Sequence, residues 1–158
     1  MPASPTENAL TTTMAELLRQ AGRKLGPTEW QPMPQDRVNQ FADLTSDHNF
    51  IHVDPERARQ TPFRGTIAHG YLTLAMLGPI SQQLVTVTDA RTSINYGLNK
   101  LRFTAPVPVG KSLRVGAVLA EVADINGGAQ VTMDLTFEVE GQDKPACVAE
   151  TMSIVYGT

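Results

Sequence analysis

The second half of the chain alternates between apolar and polar residues in four segments, at 92–104, 111–123, 129–140 and 145–156. Such a period of two is typical of a strand with one buried face. In the clearest segment the apolar face consists of Val131, Met133, Leu135, Phe137 and Val139. The turn-forming triplets at 126–128 and 141–143 separate the last three segments. The pattern predicts an antiparallel sheet.

One long helix candidate, Thr66 to Leu84, precedes these strands. Its sequence is apolar on nearly every face, as expected of a helix surrounded by protein, and Pro79 should end or kink it. One buried helix followed by an antiparallel meander predicts an α+β fold in which the sheet curves around the helix. Residues 13–158 are predicted to form this single domain, and the Pro-, Ser- and Thr-rich residues 1–12 are predicted to be disordered.

Composition narrows the classes of function. The chain has 158 residues, a net charge of −3 and one cysteine, Cys147. A single cysteine excludes an intrachain disulfide and a multi-cysteine zinc site. The absence of a basic run argues against nucleic acid as a partner. No segment has the length of about 20 apolar residues that a transmembrane helix needs, so we expect a cytoplasmic protein without membrane contact.

The polar chemistry is concentrated just before the long helix and at its start. A helix is predicted over 35–44, and Asp54-Pro55-Glu56 marks the start of another, because Asp54 can cap it and Pro55 suits its first turn. An irregular loop over 47–53 should join them. This loop and the start of the long helix contain all three histidines of the chain: His48, His52 and His69.

Asp47 and His52 are the candidate catalytic pair. A carboxylate and an imidazole on one loop can converge on a water, with histidine exchanging a proton near neutral pH. Asn49 can hold the loop in shape through backbone hydrogen bonds. At the helix start, the N–H of Gly70 can stabilise a developing oxyanion. The alternatives are a solvated loop and a glycine needed only for packing.

These residues together resemble a known family. The matching stretches are Phe41, Thr45 to His52, Ala58 and Ile67 to Gly70, and the segment Asn95 to Arg114 adds further similarity. They resemble the MaoC-like (R)-specific enoyl-CoA hydratases. Two residues depart from that family's motif: Ser46 replaces a glycine and Phe50 replaces a proline. Both changes affect the backbone of the loop and leave the reacting groups in place.

The resemblance implies a hot-dog fold and a homodimer or a higher assembly. It also implies a lyase without cofactor or metal, which hydrates a trans-2-enoyl-CoA or acyl-carrier-protein thioester to the (3R)-3-hydroxyacyl thioester. Asp47 and His52 would activate the water, and the Gly70 N–H would hold the thioester oxygen. One rival is a hot-dog thioesterase, and another is a non-catalytic acyl-thioester-binding subunit.

The remaining candidates have supporting roles. His69 and Asn49 are expected to orient the loop and the helix start, and His48 is expected at the surface. Tyr96 and Asn99, on the strand segment that resembles the family, are candidates to face the acyl pocket. A metal held by Asp47, His52 and His69 is the less favoured alternative, although a carboxylate with two imidazoles is an acceptable ligand set.

Overall fold

The N-terminal region is more ordered than its composition predicts. The computed structural model describes residues 6 and 8–157, so half of the segment predicted to be disordered, residues 1–5 and 7, lies outside it. Leu10–Thr12 forms strand β1, which pairs in parallel with β4 (Val85–Val87). Leu10 is buried in the core. The prediction of disorder is therefore wrong for these three residues, because burial of one apolar side chain and pairing with a strand fix them.

The first helices are short and capped. Helix α1 (Met14–Leu17) begins with a capping box, in which Thr13 and Glu16 bond to each other's backbone N–H groups. Helix α2 (Gln35–Thr45) follows the prediction closely. Helices α3 (Phe50–Val53) and α4 (Pro55–Ala58) come next, and Asp54 caps α4 as expected. No helix in the described part of the chain has the length and apolar character that crossing a bilayer requires.

The predicted long helix is two helices, α5 (Gly70–Ala75) and α6 (Leu77–Leu84). Residues 66–69 are not helical, because their backbone pairs with residues 107–109. The interruption at Met76 follows from Pro79, which has no N–H for the carbonyl of Ala75 and whose ring crowds that carbonyl. Met76 keeps right-handed helical angles, so the helix continues in the same general direction beyond the break.

The main sheet has six strands in the order β2-β6-β7-β8-β5, with β3 also pairing with β6. Its strands are β2 (Lys24–Leu25), β3 (Gln31–Pro32), β5 (Ala90–Phe103), β6 (Ser112–Ile125), β7 (Gly128–Val139) and β8 (Cys147–Gly157). All pairings within it are antiparallel. The four strands predicted from the period-two pattern are present, and β5 lies at one edge of the sheet.

The core lies between this sheet and α5–α6. One continuous cluster of buried apolar residues includes Leu72, Ile80 and Leu84 from the helices and Leu119 and Phe137 from the sheet. The five residues predicted to form the apolar face of β7 are all buried. Burial of each large apolar side chain contributes about 1.5–3 kcal/mol. The predicted α+β arrangement, a sheet packed around a central helical segment, is confirmed with the break at Met76.

Candidate active site

Helix ends shape the loop that carries Asp47. Helix α2 ends at Ser46, which adopts left-handed angles (φ 60°, ψ 20°) and reverses the direction of the chain. Asn49 then caps α3, its Oδ1 accepting a hydrogen bond from the N–H of Ile51 at 3.4 Å. The loop predicted over 47–53 is therefore irregular only as far as Asn49, and His52 lies on a helical turn because Asn49 provides its cap.

Replacement of Ser46 by glycine should stabilise the protein. Glycine adopts left-handed angles without the steric cost that serine pays, so we expect Ser46→Gly to raise the free energy of unfolding by about 1 kcal/mol. Thermal denaturation would show this as a rise in Tm of about 2–4 °C. Thr45→Gly is the matched control: Thr45 is helical, and its replacement should lower Tm. A Tm for Ser46→Gly at or below that of the wild type would contradict the prediction.

His52 is buried and has a fixed orientation. Its Nδ1 donates a hydrogen bond to the carbonyl oxygen of Ile67 at 2.7 Å, and the residue is 9% exposed. Because the carbonyl can only accept, Nδ1 carries the proton and Nε2 of the neutral ring has a free lone pair. Burial lowers the pKa of His52 from its ordinary value of 6.5, against the smaller opposing effects of the hydrogen bond to Ile67 and of the Asp47 charge. His52 is therefore a neutral base at pH 7.

His69 connects the helix start to the loop. Its ring stacks on that of His52, with centroids 3.9 Å apart and planes 28° apart. Its Nε2 donates to the backbone carbonyl of Asp47 at 3.0 Å. The side chain is buried, also contacts the ring of Phe41, and its Nδ1 has no hydrogen-bond partner among the described residues. The geometry agrees with the predicted supporting role of His69, since it holds Asp47 beside His52.

The three residues considered as metal ligands do lie together. Asp47, His52 and His69 each offer a ligand atom within 4.8 Å of the others. In each ring one nitrogen already bonds to a backbone carbonyl, Nδ1 of His52 to that of Ile67 and Nε2 of His69 to that of Asp47. Each imidazole therefore has one nitrogen left, which can exchange a proton with a water or ligate an ion.

A cavity of about 370 Å³ opens beside His52. Gly70 and Thr73 of α5 line one side, and Phe63 and Phe103 line the others. Gly70 is the first residue of α5, so its N–H has no acceptor within the helix. The Phe103 ring lies against Gly70, because a Cβ built there would be 2.9 Å from the ring. The cavity thus brings together a base, a backbone donor and apolar walls.

His48 belongs to the surface, as predicted. Its Nε2 contacts Oδ1 of Asp43 at 2.8 Å, and both side chains are exposed. The ring is thus engaged with the end of α2. Asp47 is exposed and His52 is buried, and His52 lines the cavity. Neither His48 nor His69 lines the cavity, and the exposed His48 serves as a control for experiments on His52.

A protein-family model described as "MaoC like domain" matches residues 16–141, which include Asp47, His52, His69 and Gly70. The chain belongs to the MaoC-like family. One curated relative, 3-hydroxyacyl-thioester dehydratase Z of Mycobacterium tuberculosis (strain ATCC 25618 / H37Rv), is 52% identical over 141 residues. That alignment covers 89% of this chain and 93% of the relative.

Two solved structures are similar to this chain over most of its length. An (R)-hydratase from A. caviae involved in PHA biosynthesis is 25% identical, with a TM-score of 0.67 and coverage of 84% of this chain and 94% of that one. A monoamine oxidase regulatory protein from an Archaeoglobus species is also 25% identical, with a TM-score of 0.77 and coverage of 96% and 99%. The predicted hot-dog fold is confirmed.

Two predicted residues lie elsewhere in this MaoC-like chain. Tyr96 is 61% exposed, and Asn99 donates from Nδ2 to Oε1 of Glu150 at 2.6 Å. Neither is among the residues that line the cavity beside His52, and their assignment to the acyl pocket stays a prediction. Their absence from the lining has a local reason: the pairing of β5 with β8 shifts register at both residues, and such bulges change which side chains face the helix.

Several residues around the MaoC-like site were not predicted. Gln35, Thr66 and Phe103 contact the catalytic segment or line its cavity. Phe103 lies at the end of a segment with the alternating pattern of a strand. An apolar residue there predicts contact with the core and does not predict that it lines a cavity. Gln35 and Thr66 are polar residues of common type, and nothing in the spacing connects them. Only the folded chain brings Gln35 and Thr66 together.

Proposed function

We propose that this protein catalyses the reversible hydration of trans-2-enoyl thioesters to (3R)-3-hydroxyacyl thioesters, as a hydro-lyase. The observation that carries the proposal is a cavity lined by both His52 and Gly70, with the carboxylate of Asp47 within 4.8 Å of the His52 ring nitrogen that faces it. The relative named as a 3-hydroxyacyl-thioester dehydratase supports it, since it is similar over nearly its whole length.

In the hydration direction, a water held by Asp47 and His52 adds to C3 of the enoyl group. Nε2 of His52 has the free lone pair and takes a proton from the water as the C3–O bond forms. The electron pair of the C2–C3 double bond moves to C2 and the thioester carbonyl, giving an enolate. The Asp47/His52 pair then returns one proton to C2, so that the site regains its starting protonation state. Dehydration is the reverse sequence.

The enolate oxygen needs a donor, and Gly70 provides one in the proposed mechanism. The Gly70 N–H lies at the cavity wall and at the positive end of α5. Donors aimed at a developing oxyanion are worth about 10²–10³ in rate. No cofactor is required for this chemistry. Cys147 takes no part, because burial raises the pKa of its thiol to about 11 and leaves it protonated.

The acyl chain has a path along the helices. A second cavity of about 390 Å³ is lined by Leu77 and Ser81 of α6 and by residues of β5 and β8, including Asn95. Gly70, Thr73, Leu77 and Ser81 recur at helical spacing, so both cavities adjoin one face of α5–α6. We therefore place the thioester at Gly70 and the distal part of a medium or long acyl chain towards Ser81. The carrier is CoA or an acyl carrier protein.

The test is a spectrophotometric assay of wild-type protein. Loss of enoyl absorbance would be followed with crotonyl-CoA, octenoyl-CoA and dodecenoyl-CoA, together with product chirality and free thiol. We expect (3R)-3-hydroxyacyl-CoA without thiol release. Release of free thiol would instead identify a thioesterase. Binding of acyl-CoA without turnover at any chain length would identify a non-catalytic binding subunit.

We also propose a homodimer formed through β5, acting in the cytoplasm. Among the residues that the structure describes, strand β5 pairs only with β8. It exposes Ile94, Tyr96 and Leu98, which are 43%, 61% and 45% exposed. A long edge strand with exposed apolar side chains is a template for pairing with another chain. A second copy offers the same edge, as a two-fold interface requires.

Introduction of a charge on β5 should dissociate the proposed dimer. We expect Leu98→Lys to shift the mass measured by sedimentation or light scattering from dimer to monomer at micromolar concentration, since a lysine at the edge opposes pairing. Leu44→Lys is the matched control, because Leu44 is 84% exposed on α2, outside the sheet. A monomeric wild type, or a dimer that survives Leu98→Lys unchanged, would contradict the interface.

A further inference from the structure

Gln35 makes a set of hydrogen bonds directed at the catalytic segment. It is the first residue of α2. Its Nε2 donates to the backbone carbonyl of His52 at 2.7 Å and to Oδ1 of Asn39 at 2.9 Å. Its Oε1 accepts from the hydroxyl of Thr66 at 2.6 Å. One side-chain amide therefore connects α2, the helical turn of His52 and the segment that leads to α5.

The contacts of Gln35 with His52 and with Thr66 lie on either side of the hydrogen bond between His52 and Ile67, which orients the His52 ring. Thr66 directly precedes Ile67, whose carbonyl accepts the Nδ1–H of His52. Gln35 thus binds the backbone of His52 through its Nε2–H and binds Thr66, the neighbour of Ile67, through its Oε1. We propose that Gln35, acting through Thr66, is a positioning residue that keeps His52 in the Nδ1–H tautomer with Nε2 facing the water.

The chemistry of the amide suits this role. Helix α3 ends at Val53, so the His52 carbonyl has no donor within the helix and needs one from outside. Glutamine supplies a donor and an acceptor in one planar group, which fixes the distance between its two partners. Catalytic groups need positions held within about 0.5 Å, and a misplacement of about 1 Å can cost a factor of about 100 in rate.

The proposal rests on the proposed hydration reaction, and it makes claims that differ from simple stabilisation. A residue that only satisfies a buried carbonyl would affect Tm and leave the active fraction with normal kcat. A positioning residue affects kcat in the folded protein, with little effect on KM, because the substrate contacts are unchanged. The tautomer of His52 provides a readout that does not depend on turnover.

The experiment compares Gln35→Met, Thr66→Val and Asn39→Ala. Gln35→Met keeps the approximate shape of the side chain but removes its hydrogen bonds to His52 and Thr66. Thr66→Val removes only the bond between Thr66 and Gln35. Asn39→Ala is the matched control, since it removes the third partner of Gln35 and leaves the contacts with His52 and Thr66. The variants are assayed with crotonyl-CoA, and the His52 ring is examined by ¹⁵N NMR.

We expect Gln35→Met to lower kcat by about tenfold to a hundredfold with KM changed by less than about twofold. His52 should show the Nδ1–H tautomer in the wild type and a mixture in this variant. Thr66→Val should show a smaller change in the same direction, and Asn39→Ala should match the wild type. The double variant Gln35→Met/Thr66→Val should be no worse than Gln35→Met, because both changes act on one connection.

Wild-type kcat and tautomer in both Gln35→Met and Thr66→Val would overturn the proposal. So would losses in Asn39→Ala equal to those in Gln35→Met. If Gln35→Met does not fold, Thr66→Val decides the question alone. An inactive wild type that still shows a single His52 tautomer, which is lost in the variants, would refute the hydration reaction and leave the positioning role standing.

Discussion

Asp47→Asn and His52→Gln should each lower kcat for hydration by about 10²–10⁴-fold, the contribution expected of a positioned acid or base. Asparagine keeps the shape of Asp47 but cannot hold a proton-accepting charge towards the water. Glutamine fills the place of the buried imidazole without a titratable nitrogen. Both should leave KM within about threefold, because neither change removes the walls that hold the acyl chain. Initial rates with crotonyl-CoA would measure this.

His48→Gln provides the matched control for this prediction. His48 directly precedes Asn49, the cap of the His52 turn, but it contacts Asp43 at the surface. Its replacement should therefore leave kcat near the wild-type value. Near-normal kcat in Asp47→Asn or His52→Gln would assign the proton transfers to other groups. Equal losses in all three variants would indicate a general disturbance of the loop.

The pH dependence of the reaction follows from the same assignment. Burial lowers the pKa of His52 below 6.5, so the neutral base persists at pH values where an exposed histidine is already charged. The rate of hydration should therefore stay level as pH falls to about 6.5 and then decline through the lowered pKa. The free energy of unfolding should depend on pH in the same direction. The contribution of His52 is fully present above the pKa that it has in the unfolded chain, and it is lost as pH falls through the lowered pKa of the folded protein.

Gly70→Ala should be the most damaging single-methyl addition at the helix start, lowering kcat/KM by about tenfold to a hundredfold. A Cβ at this position would lie 2.9 Å from the ring of Phe103, closer than van der Waals contact allows. Either the ring leaves the cavity wall or the first turn of α5 moves, and both change where the thioester oxygen lies relative to the N–H.

Two further variants make this prediction specific. Gly65→Ala is the matched control, because a Cβ there has no neighbour within 4 Å, and its activity should equal that of the wild type. Gly70→Ala/Phe103→Ala removes the crowding and should recover much of the loss. A double variant no better than Gly70→Ala would show that the methyl group itself obstructs the substrate, so that the clash with Phe103 is not the cause.

The grouping of Asp47, His52 and Gly70 in one region was predictable from sequence, because these residue types are rare there and their spacing is local. Asp47 and His52 are five residues apart, and the helix start at Gly70 has a clear apolar pattern. The strands of the sheet were predictable for a similar reason, since alternation is visible within one segment. The cap of α4 at Asp54 was predictable in the same way, because Asp54 and Pro55 are adjacent in the sequence.

The features that were missed depend on contacts between distant segments. Pairing with β4 orders residues 10–12, whose composition alone resembles a disordered terminus. The bulges at Tyr96 and Asn99 arise from pairing with β8 and do not interrupt the sequence pattern. Gln35 is 31 positions away from Thr66, and either residue alone would be expected on a polar surface.

His52 and His69 connect the two segments of the site, the loop and turn of residues 47–52 and the segment of residues 67–69, by hydrogen bonds in both directions. His52 donates to the carbonyl of Ile67, and His69 donates to the carbonyl of Asp47. In the His52 ring the N–H at Nδ1 is present in both the neutral and the charged form, because a second proton adds at Nε2. In the proposed mechanism, a proton can therefore join and leave His52 while its hydrogen bond to Ile67 stays intact, so the backbone around the site does not have to rearrange between turnovers.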